Sequence, residues 1–222
     1  ILIGLVGSEM CIRDRYKILY NAINTSVYTY SFEKAVTIRE KLHVEQNLVI
    51  GHVGRFDAQK NHTFLLDIFS ECVNIVPNAR LLLVGDGEGR TQIQEKAKSL
   101  GLEEKVIFTG VRNDVADLLQ AMDVFVFPSL YEGVPVTMIE AQASGLPCVI
   151  SDGVPKDCVI TSGLVTSMKL SDRPCDWAKH IAAQLNRKRE NHLEEIQAAG
   201  YDIVTAAKEL ENFYLKKYGE ES

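Results

Sequence analysis

The chain of 222 residues has no surplus of positive charge: 24 Lys and Arg stand against 30 Asp and Glu, a formal net charge of -6. Binding along a nucleic-acid backbone needs a concentrated basic face, so this balance argues against a general nucleic-acid binder. A small phosphorylated ligand remains open, because it needs only one or two well-placed cations. Cysteine is sparse. The five residues Cys11, Cys72, Cys148, Cys158 and Cys175 are scattered, odd in number and free of any C-x-x-C pair. That pattern argues against a zinc site or a disulfide framework and reads as reduced thiols in a cytoplasmic protein. No apolar run approaches the ~18 residues of a membrane span. The N-terminal ILIGLVG has neither the basic leader nor the cleavage site of a signal peptide. There is no internal repeat and no low-complexity linker.

What is present is ordinary globular material, 46% hydrophobic and 24% charged, long enough for one large α/β domain or two small ones. The first fifteen residues, ILIGLVGSEMCIRDR, show no helical or strand period and resemble translated adapter read-through. Ile1 to Arg15 are therefore expected to be a non-native leader, with the domain running over 16–222.

From Leu48 onward, short apolar or β-branched runs alternate with amphipathic helical patterns. Strands are expected at LVIGHVG (48–54), ARLLLVG (79–85), KVIFTG (105–110), DVFVFPS (123–129) and LPCVIS (146–151). Between them, helices are expected over 61–77, 89–101, 114–122 and 135–145, with Phe64, Leu65, Ile68, Phe69, Cys72, Val73 and Val76 sharing one stripe of the first. The C-terminal third reads as helix from Asp176 to Arg189 and then two further stretches ending near Tyr218. The last carries a stripe through Ala207, Leu210, Phe213 and Tyr214 that suits a neighbouring domain better than lipid. Strands alternating with helices predict parallel βαβ units and a doubly wound sheet, whose ligands bind at the carboxyl ends of the strands.

Each strand-end loop carries something. Gly54 to Asn61 (GRFDAQKN) places Arg55 and Lys60 before a helix N-terminus, a natural diphosphate site, although two solvated surface cations would look the same. Gly85 to Arg90 (GDGEGR) has spacing G-x-G-x-G rather than the G-x-G-x-x-G of dinucleotide binders, and no acidic residue ends the strand that follows. In TGVRND, Val111 and Arg112 could meet the face of a base, while Asp114 reads equally as a helix cap. PSLYEGVPVTMIEA holds Glu132 in a loop and Glu140 about one turn inside a helix that opens near Pro135. Glu140 suits the two hydroxyls of a ribose, Glu132 the hydroxyls of a further sugar, and the amides around Val136 and Thr137 suit phosphates. The bland reading is a dipole-favoured helix glutamate beside a surface acid.

The segments YNAIN (20–24), VGRFDAQKN (53–61), LLLVGDGEGR (81–90) and 106–152 stand in order at the intervals of one family. The chain resembles the C-terminal, donor-binding half of the family 4 retaining glycosyltransferases, two-domain GT-B enzymes with the motif E-x7-E, here Glu132 to Glu140. The resemblance runs from about Tyr16 to the C-terminus. It implies an α/β, Rossmann-like doubly wound parallel sheet with a helical C-terminal extension. It further implies transfer of a sugar from a nucleotide sugar, with UDP preferred, without an obligatory metal or other cofactor. Arg55 and Lys60 would clamp the diphosphate, Glu132 would hold the transferred sugar, Glu140 the ribose, and Val111 and Arg112 the base. Gly54, Gly85, Gly133, Val136 and Thr137 complete the donor site. Two departures stand out: Ala22 and Asn24 where N-G-I-D is expected, and Asp157 ending SDGVPKD where the family often has a capping Glu.

The acceptor-binding N-terminal domain of that family is not within these residues. The resemblance therefore implies that the chain alone binds nucleotide and transfers sugar poorly, with a glycan or lipid-linked acceptor and any peripheral membrane contact belonging to the other half. Three other readings stay open: a non-catalytic nucleotide-binding module, a Rossmann oxidoreductase, and a sugar-nucleotide epimerase of the same fold.

Overall fold

The computed structural model describes residues 19–184 and 187–220. The expected leader, Ile1 to Arg15, lies outside the described residues. Six parallel strands form one sheet: β1 (Leu48–Val53), β2 (Ala79–Val84), β3 (Val106–Phe108), β4 (Val124–Phe127), β5 (Cys148–Ser151) and β6 (Val165–Met168). Their order is β3-β2-β1-β4-β5-β6. The strand order reverses beside β1, which pairs with β2 on one side and β4 on the other. At such a reversal the following connections leave toward opposite faces, and a crevice opens at the carboxyl ends of the two strands.

The central strands are apolar because both faces are covered. All four residues of β4 are buried, as are five of the six in β1. On one face lie α3 (His62–Ile75), α4 (Arg90–Ser99) and α7 (Pro174–Ala183), packed on Leu81, Leu83, Val124 and Val126. The stripe of α3 falls as expected, with Leu65, Ile68, Phe69 and Cys72 buried and Phe64, Val73 and Val76 at its margin. On the other face lie α2 (Phe32–Leu42), α5 (Val115–Ala121) and α6 (Val136–Ala143), packed on Val49, Phe125 and Phe127. A third cluster joins α1 (Thr25–Tyr28), α6, α8 (Leu193–Ala198) and Tyr201, ahead of α9 (Ile203–Glu220).

Three details differ from expectation. The helix expected from Asp176 to Arg189 ends at Ala183, because Arg189 is needed elsewhere: its guanidinium donates to the carbonyls of Leu119, Met122 and Ser144 and stacks on Tyr30. The edge strand β6 was not anticipated, since three of its four residues are incompletely buried and VTSM has no clean alternation. Nor was α2, which buries only Ala35 and Ile38 and is set instead by its ends. The Ser31 hydroxyl accepts from the Lys34 amide, and His43 closes the helix in the left-handed region. Among the described residues, the stripe of α9 stays largely uncovered, with Tyr214 exposed and Leu210 and Phe213 half-buried.

Candidate functional site

The loops after β1 and β4 flank the reversal of strand order, and they are joined there by a dense set of contacts. The Lys60 Nζ donates to Glu132 Oε1 at 2.6 Å, and Gln59 Nε2 donates to Glu132 Oε2 at 3.1 Å. Gln59 also donates to the Tyr131 carbonyl at 3.0 Å and accepts from the Leu130 amide at 2.8 Å. Asn61 Nδ2 donates to the Pro128 carbonyl at 3.1 Å. From the other side, the Glu132 amide donates to the Gly153 carbonyl at 3.1 Å. Lys60 lies 4.8 Å above the ring of Phe127, at the end of β4. Both partners are drawn in from solvent, with side chains 16% and 5% exposed.

This arrangement leaves capacity for a ligand. An ammonium has three donors, and the contact with Glu132 uses one of them. Arg55, a few residues earlier in the same loop, is exposed, and its side chain makes no hydrogen bond or ion pair among the described residues. It borders a cleft of about 760 Å³ together with Asn61, His62, Thr63, Gly87 and Gly89. Val136 and Thr137 open α6, where backbone amides have no carbonyl one turn earlier to bond. Pro135 is the residue just before that helix rather than inside it, with extended backbone. Gly133 precedes it, and a methyl group built there would meet nothing within 4 Å. Its loop is open to close approach of a ligand.

Glu140 lies on the second turn of α6 and is half-buried. The Tyr28 hydroxyl donates to its Oε1 at 2.5 Å. Burial pushes the Glu140 carboxyl up from its ordinary range, and the hydrogen bond from Tyr28 partly opposes that by favouring the ionised form. Burial, with the bond to Glu140 and its charge adding, raises the Tyr28 phenol as well. No hydrogen bond or ion pair among the described residues joins Arg55 or Glu140 to the Lys60–Glu132 pair.

At the tip of β3, Val111 is 77% exposed. Asp114 does not cap α5 through its side chain, contrary to that expectation. Its carboxylate instead accepts both arms of Arg112, at 2.7 and 2.6 Å. A two-pronged pair with a guanidinium outcompetes a single backbone amide.

The glycines of GDGEG serve the contact between the loops after β1 and β2. A methyl group at Gly85 would fall 2.1 Å from the Gly54 carbonyl oxygen, and Gly85 has φ +135°. At Gly87 and Gly89 it would fall 2.7 and 2.9 Å from the carbonyl oxygen of Phe56. Phe56 in turn donates its amide to the Asp86 carbonyl and accepts from the Gly89 amide. Gly54, facing Lys60 and His52, is likewise too close to carry a side chain freely, with 3.0 Å to the His52 Nε2.

Beneath these loops sits a pair of buried histidines. His52 on β1 and His62 at the start of α3 are edge to face at 4.7 Å, and His62 stacks on Phe56 at 4.2 Å. His52 Nδ1 meets the Val126 carbonyl at 2.9 Å, while His52 Nε2 and both nitrogens of His62 have no hydrogen-bond partner among the described residues. Burial, assisted by the charge of Lys60, lowers His62 to about 4, and burial with the neighbouring His62 lowers His52 well below its ordinary value. Sequence reasoning missed Gln59, Tyr28 and this pair. Gln59 had only its adjacency to Lys60 as a signal, and Tyr28 had none, being 112 residues from the glutamate it touches.

The family described as "Glycosyl transferases group 1" matches residues 47–187. EpsF of Bacillus subtilis (strain 168) is 37% identical over 95% of this chain and 56% of its own length. The UDP-Gal:alpha-D-GlcNAc-diphosphoundecaprenol alpha-1,3-galactosyltransferase of Escherichia coli is 30% identical over 68% of this chain and 42% of its own. Among solved structures, Anabaena Alr3699/HepE in complex with UDP-glucose superposes with a TM-score of 0.75 at 25% identity, covering 90% of this chain and 57% of that one. The chain thus spans about half the length of the curated relatives it matches. The six-stranded parallel sheet is that of GT-B glycosyltransferases, and the chain belongs to the glycosyl transferases group 1 family.

Proposed function

We propose that this chain is the nucleotide-sugar-binding part of a glycosyltransferase that moves a sugar from a UDP-sugar to a glycan or lipid-linked acceptor with retention of configuration, in polysaccharide biosynthesis. The observation that carries the reading is the Lys60–Glu132 pair, held at the reversal of strand order next to an open helix N-terminus. Diphosphate oxygens would take the remaining Lys60 donors, Arg55 and the amides of Val136 and Thr137. Glu132 would accept hydroxyls of the transferred sugar, and Glu140 the ribose diol. As the bond from the anomeric carbon to the diphosphate breaks, negative charge grows on the leaving oxygen, and these cations and amides would offset it. On this reading no metal or other cofactor is needed.

The donor class is supported by the names of similar proteins: HepE was solved with UDP-glucose, and the Escherichia coli relative is named for UDP-Gal and an acceptor on diphosphoundecaprenol. A lipid-linked acceptor would put the whole enzyme at the inner face of the membrane. No helix among the described residues is long and apolar enough to cross one. Because its relatives run to about twice this length, sugar transfer is expected to need residues beyond the chain. The test is titration calorimetry with UDP, GDP, ADP and NAD. UDP is expected to bind most tightly, and preference for NAD would contradict the proposal.

A further inference from the structure

We infer that Tyr28 is a positioning residue for the donor: its hydroxyl locks the Glu140 carboxylate in the orientation that receives a ribose diol. This rests on the reading of Glu140 given above. The bond from Tyr28 to Glu140 Oε1, at 2.5 Å, is at the short end expected for a hydroxyl donating to a carboxylate. It occupies one lone pair of one oxygen. Among the described residues no other hydrogen bond reaches this carboxylate, so Oε2 and the second lone pair of Oε1 are left for a ligand, which is the pattern two vicinal hydroxyls need.

Tyr28 can act as an anchor because the short turn carrying it is itself fixed from two sides. Gln120 Nε2, from α5, donates to the Tyr28 carbonyl at 3.2 Å, and Gln120 Oε1 accepts from the Ser31 amide at 2.9 Å. At the other end of α1, Thr25 Oγ1 donates to Asp202 at 2.8 Å, and Ile23 exchanges backbone hydrogen bonds with Tyr201 and Ile203. The phenol ring packs against two of the hydrophobic clusters. A glutamate on a helix otherwise has several rotamers to choose from, and ordering it on binding costs affinity. Tyr28 would remove that cost before the ligand arrives. The donor site would then depend on a residue N-terminal to the first strand, far in sequence from both acidic residues.

The experiment is calorimetry on this chain with UDP and with 2′,3′-dideoxy-UDP, which lacks the diol. It uses the wild type, Tyr28→Phe, Glu140→Ala and the double variant; Tyr28→Phe keeps the ring and its packing. The wild type is expected to prefer UDP, and Glu140→Ala to erase that preference. Tyr28→Phe is expected to weaken UDP by roughly three- to tenfold, the scale of one hydrogen bond, while leaving dideoxy-UDP alone. In the Glu140→Ala background, removing the hydroxyl should change neither ligand. If Tyr28→Phe binds UDP like the wild type, or weakens both ligands equally, the positioning role is overturned while Glu140 keeps its own. If the wild type does not distinguish the two ligands, the Glu140 reading fails and the inference falls with it.

Discussion

Lys60 and Glu132 meet at 2.6 Å across the point where the strand order reverses, one from the loop after β1 and the other from the loop after β4. Two loops far apart in sequence are tied there, and Gln59 takes the second carboxylate oxygen. The pair holds the crevice in shape and presents a cation with unused donors. Because both side chains are mostly withdrawn from water, removing one partner strands the other. Lys60→Met is expected to destabilise the fold by about 2–3 kcal/mol in urea unfolding. Lys60→Met with Glu132→Gln should cost less than the sum of the single changes, with a coupling of at least about 1 kcal/mol. Additivity within about 0.5 kcal/mol would show that the contact contributes nothing.

Arg55 behaves oppositely, because it is exposed and unpaired among the described residues. Arg55→Ala should leave the unfolding free energy within about 0.5 kcal/mol of the wild type. UDP affinity should fall by about tenfold to a hundredfold, the scale of a charge-assisted hydrogen bond. Unchanged UDP affinity by calorimetry would remove Arg55 from the site.

Two glycines separate packing from binding. Gly85 has φ +135° and the Gly54 carbonyl within 2.1 Å of where a Cβ would stand, so Gly85→Ala should destabilise by more than about 2 kcal/mol. Gly133 faces open space, so Gly133→Ala should change stability by less than about 0.5 kcal/mol yet weaken UDP-glucose binding. Thermal unfolding and calorimetry on both variants check the contrast. Equal destabilisation by the two would contradict it.

The buried histidines set an acid limit. An unfolded histidine titrates near 6.5, whereas His62 is lowered to about 4. The unfolded chain therefore binds a proton that the folded chain refuses. Stability is fully present above 6.5 and is lost as pH falls from there toward 4, with His52 shifted in the same direction. For His62 alone, moving from pH 7.5 to pH 5 should cost about 2 kcal/mol. His62→Phe keeps the stack on Phe56 and cannot titrate, so its urea midpoint should fall less over the same interval. A drop equal to that of the wild type would clear His62 of the effect.

Much of this was legible in the chain because parallel central strands write themselves plainly. VFVF and LLLV are apolar on both faces, and the intervening stripes have helical spacing. What was missed is what depends on long-range pairing or weak burial. VTSM becomes a strand only because β5 offers it an open edge, and α2 is fixed by its caps more than by a stripe. Asp114 looked like a cap until Arg112, two residues away, supplied a better partner. Of the glycines of GDGEG only Gly85 was read as part of the donor site, and the close approach of the Phe56 carbonyl supplies a sufficient reason for Gly87 and Gly89. Of the candidate site, sequence named Lys60 and Glu132 but not that they touch, and it could not find Tyr28, since nothing local marks a tyrosine that reaches across 112 positions.

The most direct measurement is amide chemical-shift mapping of this chain during titration with UDP-glucose. Perturbations are expected to saturate together over Gly54 to Lys60, Gly110 to Arg112 and Glu132 to Glu140, with the Tyr28 amide following. Shifts confined to other surfaces, or none at millimolar ligand, would contradict a donor pocket at the reversal of the sheet.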